Sequence, residues 1–277
     1  MKKNRSISMI KLIALDLDGT LLDSQKNISE MNKQAIHKAL AKGVKVVLCT
    51  GRPLGGIKRY VDELDLLGEE DFSITYNGGL VQRNHDSKVL SEKTLSYQDI
   101  QTIYQLSQDL GLPMNMLDLE YVYEPEYPTG RDSLYPSLMS ASLPFVTREI
   151  ASFEADHQFN KVVFCTDPAY LDDAITRIPA AFHEQFSTMK SRPLLYEIMH
   201  PEVDKGSGIA RLCELMGFSA DEVMVCGDEE NDAAMFDYAG VAVAMENATE
   251  AIKSKATYIT KTNDEDGVAH AIHKFVL

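Results

Sequence analysis

The chain has no tryptophan, and only four of its 277 residues are cysteines. The cysteines are scattered and include no C-x-x-C pair, so the spacing that is typical of zinc or redox sites is absent. No hydrophobic run approaches the roughly 20 residues that a membrane span requires. We therefore expect a cytoplasmic protein with no membrane partner, whose cysteines are reduced and mostly buried.

Positive charge is also scarce, because 27 Lys and Arg residues face 42 Asp and Glu residues, giving a net charge of -15. Such a surface repels a phosphate polyanion, so we expect no nucleic-acid partner. A small anionic ligand remains compatible, because a metal ion and one lysine can reverse the potential inside a pocket. The basic residues near the start are not followed by the features of a signal peptide. Residues 1–8 are expected to be a loosely held extension.

Short apolar segments such as "IKLIAL", "VKVVLC" and "EVMVC" alternate with amphipathic segments along the chain. This alternation predicts an α/β fold with an open, parallel, doubly wound sheet of the Rossmann-like type. From about residue 84 the composition becomes richer in Tyr, Pro and Met, and from Lys205 the first pattern returns. We therefore predict a core formed by residues 1–83 and 200–277, interrupted by an inserted α/β domain over residues 84–199.

Polar residues follow the predicted strands, at the sheet edge where ligands gather in such folds. Asp16 and Asp18 follow the first strand, and Asp228 follows "EVMVC". Thr50 and Gly51 follow the second strand, and Lys205 opens a predicted helix. Residues two apart on an extended segment point the same way, so Asp16 and Asp18 are expected to face one ligand.

Carboxylates at the edge of a core require compensation by a metal ion, a proton or a cation. Mg²⁺ prefers oxygen ligands and is held by one or two carboxylates plus a substrate phosphate, a role that suits Asp16 and Asp228. Lys205 adds a positive charge beside them. These groups favour phosphoryl transfer in two steps, with Asp16 as nucleophile and Asp18 as acid and base. The phosphoryl oxygens would be held by Thr50, the Gly51 N–H, Asn231 and Lys205.

Four segments, "DLDGT", "CTGRP", "DKGSG" and "GDEEND", occur in this order. They resemble the four motifs of the haloacid dehalogenase-like phosphohydrolases, and their spacing resembles the Cof-type subfamily with a type C2B cap. Within it, the likeness is to bacterial sugar-phosphate phosphatases. The resemblance implies a Mg²⁺ cofactor and the main-chain carbonyl of Asp18 as a metal ligand beside Asp16 and Asp228. It also implies that the insertion is a cap, which would exclude water and select the leaving group.

Three neighbouring features are interpreted more cautiously. Asp232 has three candidate roles: orienting Lys205, assisting the metal, or capping a helix. Arg52 is interpreted as a solvated arginine at a helix start rather than as a substrate contact. The "NGG" segment, residues 77–79, is interpreted as turn chemistry rather than as a catalytic element.

Three functions are compatible with the sequence. The first is a Mg²⁺-dependent phosphatase acting on a small phosphorylated substrate, in particular sugar phosphates. The second is a phosphomutase, which would have to retain the phosphosugar instead of releasing phosphate. The third is a non-enzymatic binder of phosphosugars, which would have no need of Asp16 or Asp18. We expect a monomer or a weak homo-oligomer.

Overall fold

The structure, a computed structural model, describes residues 9–139 and 143–277. The expectation for residues 1–8 lies outside these ranges. The chain divides into two compact units, one formed by the segments up to Glu92 and from Asp204 onward, the other by Lys93–Val203. The insertion predicted from the sequence was 84–199. The change of unit comes after Glu92 because strand Val89–Glu92 is still paired in the large sheet of the first unit.

Strands and helices are numbered in order along the whole chain, so the labels within the first unit are not consecutive. Its strands are β1 (Leu12–Leu15), β2 (Lys45–Cys49), β3 (Phe72–Thr75), β4 (Leu80–Arg83), β5 (Val89–Glu92), β14 (Val223–Gly227), β15 (Val241–Ala244) and β16 (Tyr258–Ile259). Its helices are α1 (Glu30–Ala41), α2 (Lys58–Glu63), α7 (Lys205–Met216), α8 (Ala233–Tyr238), α9 (Glu250–Lys255) and α10 (Gly267–Phe275).

These eight strands form one sheet in the order β16-β15-β14-β1-β2-β3-β4-β5. The pairs from β16 to β3 are parallel, as predicted, whereas β4 and β5 add antiparallel at one edge. Along the chain, the strands that follow β1 are added toward one edge of the sheet, and those that follow β14 are added toward the other edge. The strand order therefore reverses between β1 and β14, which is where a ligand site is expected in such a sheet.

The core of the first unit lies on both sides of this sheet. All four residues of β1 and all five of β14 are buried, which fits the continuous apolar character of strands covered on both faces. Helix α1 packs against α10, and α7 packs against α8. Ser29 caps the N-terminus of α1, since its side chain accepts the N–H of Asn32 at 3.1 Å.

The second unit has the strands β6 (Leu95–Ser96), β7 (Met114–Leu117), β8 (Val122–Glu124), β9 (Phe145–Thr147), β10 (Gln158–Phe159), β11 (Lys161–Cys165), β12 (Ser187–Arg192) and β13 (Leu195–Met199), and the helices α3 (Tyr97–Leu110), α4 (Tyr135–Met139), α5 (Pro168–Ile175) and α6 (Ala180–Gln185). Its main sheet has the order β12-β13-β11-β7-β8-β9, and β6 and β10 form a two-stranded sheet. A separate cluster of buried apolar side chains forms its core.

Helix α3 has Ser96 as its N-terminal capping residue. In the described part of the chain, no helix combines the length and apolar character needed to span a membrane.

Candidate active site

Asp16 and Asp228 lie at the carboxyl ends of adjacent parallel strands, on either side of the reversal in strand order. The N–H of Asp16 donates to the carbonyl of Cys226 at 3.1 Å, which extends the pairing of β1 and β14 to the start of the site. Asp16 is 7% exposed and Asp228 is 5% exposed. Two distant stretches of sequence therefore bring carboxylates to one place, as predicted.

The chain turns immediately after β1, which ends at Leu15. The N–H of Leu21 donates to the carbonyl of Asp16, and that of Leu22 to the carbonyl of Leu17. Leu17 lies in a turn, so the extended segment assumed for residues 16–18 is not observed, and the expectation that Asp16 and Asp18 face one ligand stays a prediction. The two carboxylates have different hydrogen-bond partners, and their joint action on one phosphate stays a prediction.

Lys205 is the first residue of α7 and is completely buried. Asp204 caps this helix by accepting the N–H of Ser207 at 2.7 Å. The ammonium of Lys205 donates to Asp16 Oδ1 and to Asp232 Oδ1, each at 2.5 Å. Burial alone would lower the pKa of Lys205, but these two carboxylates outweigh burial and raise it, so the ammonium stays charged.

Asp232 uses both oxygens to organise its neighbours. While Oδ1 accepts from Lys205, Oδ2 accepts the N–H of Asp228 at 2.8 Å and that of Glu229 at 3.1 Å. Its side chain makes no capping hydrogen bond to α8, but its bond to the N–H of Glu229 belongs to the capping box of the short 3-10 helix Glu230–Asp232. The geometry also favours the first role, orienting Lys205, and adds a second, which is fixing the backbone of the turn that carries Asp228.

Asp16, Asp228 and Asp232 form a buried acidic triad in which one oxygen from each residue lies within 4.8 Å of the others. Thr20 Oγ1 donates to Asp228 Oδ1 at 2.7 Å. Among the described residues, no group donates to Oδ2 of Asp16 or Oδ2 of Asp228, so these two oxygens are available to a cation. An all-oxygen donor set fits a hard divalent metal ion such as Mg²⁺.

The charges of this triad are only partly compensated. Burial, followed by the nearby Asp16 carboxylate, raises the pKa of Asp228 to about 8. Burial also raises the pKa of Asp16, and Asp232 adds to this effect, although Lys205 opposes it. Three buried carboxylates share one ammonium, so the protein alone holds excess negative charge that a bound cation would neutralise.

Asp18 is held by two cations. Arg52 forms a two-pronged contact, with Nε at 3.0 Å and Nη2 at 2.7 Å from Asp18 Oδ2, and Lys26 Nζ lies 2.8 Å from Oδ1. Burial would raise the pKa of Asp18, but the hydrogen bonds from Lys26 and Arg52 outweigh it and lower that pKa. The interpretation of Arg52 as a solvated arginine was wrong. Its place in the "CTGRP" motif was the sequence signal that pointed to the site.

Thr50, Gly51 and Asn231 are connected through Asn77. The N–H of Asn77 donates to the carbonyl of Thr50 at 2.9 Å, and Asn231 Nδ2 lies 3.4 Å from Asn77 Oδ1. A Cβ on Gly51 would lie 2.8 Å from Asn77 Oδ1. The "NGG" segment is a turn, as interpreted. It also contacts three predicted phosphate-binding residues, which the sequence reasoning missed because turn propensity already explained its composition.

The same turn fixes the start of α7. Gly78 has φ +99°, and a Cβ there would lie 2.0 Å from the carbonyl oxygen of Asp204. A Cβ on Gly208 would lie 2.7 Å from the Cα of Gly78. Only glycines allow this approach between backbones. The position of Lys205, one residue after Asp204, therefore depends on backbone packing against the turn.

Comparison with known proteins places this geometry in a family. The model of the haloacid dehalogenase-like hydrolases matches residues 13–272. "Putative phosphatase YxeH" of Bacillus subtilis is 43% identical over 97% of this chain and 99% of its own length. "5-amino-6-(5-phospho-D-ribitylamino)uracil phosphatase YcsE" of the same organism is 32% identical over 97% of this chain and 96% of its own length.

A crystal structure of a haloacid dehalogenase-like hydrolase from Bacteroides thetaiotaomicron has the same fold. It superposes with a TM-score of 0.81 at 28% identity, over 96% of this chain and 99% of the other. The predicted resemblance and the predicted α/β fold are both confirmed. The chain belongs to the haloacid dehalogenase-like hydrolases, and it is an enzyme of their phosphatase type.

Proposed function

We propose that this enzyme is a Mg²⁺-dependent phosphatase that hydrolyses small phosphorylated metabolites, in particular sugar phosphates, through an aspartyl-phosphate on Asp16. The observation that most strongly supports this proposal is the environment of the Asp16 carboxylate. Lys205 holds one of its oxygens at 2.5 Å, while the other accepts no hydrogen bond from the described residues, and Asp16 belongs to the same acidic triad as Asp228. The phosphoribityl substrate in the name of the 32% identical relative supports a phosphorylated polyol as substrate.

In the first step, an Asp16 oxygen attacks phosphorus and the bond between phosphorus and the ester oxygen breaks. Asp18 must take up a proton when the phosphate dianion binds, against the effect of Lys26 and Arg52 that lowers its pKa in the free protein. It then donates this proton to the departing alkoxide, which leaves as an alcohol. In the second step, water attacks phosphorus, Asp18 takes its proton, and inorganic phosphate leaves the restored Asp16 carboxylate. Because the same carboxyl serves as acid and then as base, the cycle returns every group to its starting state.

The remaining residues position the phosphoryl group. Thr50, the Gly51 N–H and Asn231 are proposed to hold its oxygens, and Lys205 to supply a buried positive charge beside Asp16. Asp16 Oδ2 and Asp228 Oδ2 would hold Mg²⁺, with the carbonyl of Asp18 as a further ligand. When bound, this ion would neutralise charge on the triad and on the phosphate. The second unit, Lys93–Val203, is proposed to be the cap that selects the leaving group.

The test is release of inorganic phosphate from a panel of sugar phosphates, with and without Mg²⁺. Wild type should release phosphate only with the metal, and Asp16→Asn should lose activity by at least about 10³-fold, a loss typical of removing a nucleophile. Asp18→Asn should also be inactive. Normal hydrolysis by Asp16→Asn would contradict the mechanism. An isomeric phosphosugar without free phosphate would indicate a phosphomutase instead, and binding without turnover would indicate a phosphosugar binder.

A further inference from the structure

Three cationic side chains of the first unit gather around Asp18 and Tyr60. We call Lys26, Arg52 and Arg59 the cationic cluster. Lys26 and Arg52 both contact the Asp18 carboxylate, with Arg52 Nη2 at 2.6 Å and Lys26 Nζ at 2.8 Å from Oδ1. The guanidinium of Arg59 stacks over the Tyr60 ring at 4.4 Å from its centroid.

The cluster is held in place by its own hydrogen bonds. Arg59 Nη2 donates to the carbonyl oxygen of Lys26 and lies 2.7 Å from the Tyr60 hydroxyl. That hydroxyl in turn lies 3.2 Å from the Lys26 carbonyl. Tyr60 is only 2% exposed, so it is a fixed support rather than a mobile one. These bonds hold the loop bearing Lys26 against the helix bearing Arg59, and Arg52 is tied to Lys26 through their shared contact with Asp18.

Positive charge exceeds negative charge in this cluster. Asp18 is the single carboxylate that pairs with Lys26 and Arg52, and Arg59 has no carboxylate within ion-pair distance among the described residues. The nearby Asp23 carboxylate is directed into its own loop, where it accepts the N–H groups of Gln25 and Asn27 at 2.9 and 2.8 Å. In a chain of net charge -15, such a local excess of cations requires a reason.

The position of the cluster identifies the part of the substrate that it would meet. The inference rests on the proposed function, in which Asp18 protonates the oxygen of the leaving group. An acid must lie within hydrogen-bond distance of the atom that it protonates. Lys26 and Arg52 contact Asp18 and therefore lie beside the leaving group, whereas Lys205 contacts Asp16. Arg59 joins them through its hydrogen bond to the Lys26 carbonyl.

We propose that the cationic cluster binds a second anionic group, a carboxylate or a second phosphate, on the leaving group of the substrate. A neutral polyol would leave the excess charge of Arg59 uncompensated, whereas an anion would pair with it. The cluster is accessible to such a ligand, since Arg59 is exposed and the side chain of Lys26 is 54% exposed. Within the proposed class of phosphorylated metabolites, the cluster therefore favours phosphate monoesters whose leaving group carries a further negative charge.

The test compares esters that differ in one group. 3-Phosphoglycerate is paired with glycerol 3-phosphate, and 6-phosphogluconate with glucitol 6-phosphate, so that a carboxylate replaces a hydroxymethyl group in each pair. We expect kcat/KM to be about fivefold higher for the carboxylated member of at least one pair. Raising the salt concentration should reduce this preference, because exposed charges are screened.

Substitutions then test which residue causes the preference for the carboxylated ester. Arg59→Gln should lower the ratio of kcat/KM within the preferred pair by about fivefold, and Arg59→Lys should retain most of it because the charge remains. Lys58→Gln is the matched control, since it removes one positive charge from the same helix but from a residue paired with Asp62 at 2.9 Å. It should leave the ratio unchanged.

Three results would overturn the inference while leaving the phosphatase proposal intact. These are equal hydrolysis of both members of each pair, preference for the neutral members, and an equal effect of Lys58→Gln and Arg59→Gln on the ratio. If no phosphate monoester is hydrolysed at all, including p-nitrophenyl phosphate, the proposed function itself fails and the inference fails with it.

Discussion

Asp228 is almost completely buried. Among the described residues, the Thr20 hydroxyl donates a hydrogen bond to the Asp228 side chain. Its charge is costly without a cation, as the raised pKa shows. Above pH 8, where Asp228 is ionised, Asp228→Asn should therefore raise the Tm of the metal-free protein by about 3 °C, because it removes the repulsion from Asp16. The same variant should lose Mg²⁺-dependent stabilisation and at least about 10³-fold in activity.

Differential scanning calorimetry with and without Mg²⁺ measures the stability effect, and phosphate release measures the activity. Glu230→Gln is the matched control, because it removes an exposed carboxylate two residues away that is not part of the triad. It should change neither the metal effect nor activity. A destabilised Asp228→Asn protein that still responds to Mg²⁺ would contradict this account.

The raised pKa values also predict how metal binding depends on pH. A carboxyl whose pKa is raised by folding contributes stability below its unfolded pKa, and that contribution is lost as the pH rises through the folded value. For Asp228 this value is about 8, so the metal-free protein loses stability as the carboxylates ionise. Mg²⁺ binds the ionised carboxylates, and its binding restores stability to the protein.

The increase in Tm caused by Mg²⁺ should therefore be small near pH 6 and larger near pH 9. Thermal melts at a fixed metal concentration across this range test the expectation. In Asp228→Asn the pH dependence of the metal effect should be largely lost. A metal effect that is greatest at acidic pH would contradict the assignment of the triad as the metal site.

At the scale of elements, Lys205 depends on the contact between the turn at residues 77–79 and helix α7. Gly208 lies inside this helix, where replacement of glycine by alanine ordinarily stabilises by about 1 kcal/mol. Here the added Cβ would lie 2.7 Å from the Cα of Gly78 and 2.8 Å from Ile74 Cγ2. Gly208→Ala should instead destabilise by about 2 kcal/mol and reduce activity, because α7 must shift and carry Lys205 with it.

Urea denaturation and phosphate release measure the two effects. Gly217→Ala is the control, because a Cβ there meets nothing within 4 Å, although its φ of +70° adds local strain. Its cost should be about 1 kcal/mol without a specific loss of activity. A stabilised, fully active Gly208→Ala protein would show that this contact does not position Lys205.

The sequence predicted which elements carry the central groups but not how the surrounding residues connect. Asp16, Asp228 and Lys205 were identifiable because each lies at a strand end or a helix start. Arg52 and Asn77 were not, because each also suits an ordinary helix start or turn, and their roles depend on contacts with residues far along the chain. The turn at Leu17 was missed because an apolar run does not show where a strand ends.

At the scale of the whole molecule, the two units have separate hydrophobic cores, and the acidic triad belongs to only one of them. A ligand stabilises the part of a structure that must be folded to bind it. Mg²⁺ should therefore slow amide hydrogen exchange in β1, β14 and α7, and leave exchange in β11 and β13 nearly unchanged.

Hydrogen exchange followed by mass spectrometry, with peptides from both units, measures this difference. The Asp228→Asn variant provides the control, since it should show no metal effect in either unit. Equal protection of β11 and β1 by Mg²⁺ in the wild type would contradict the confinement of the metal's effect to the first unit.

The central claim is that Asp16 becomes covalently phosphorylated during turnover. The most direct measurement is to quench the enzyme during hydrolysis of a phosphate monoester, reduce the trapped acyl-phosphate with borohydride, and locate the modified residue by mass spectrometry. The account predicts conversion of Asp16 to homoserine in the wild type, and no such modification in Asp16→Asn or without substrate. Rapid phosphate release with Asp16 unmodified, or reduction at a different carboxyl, would contradict it.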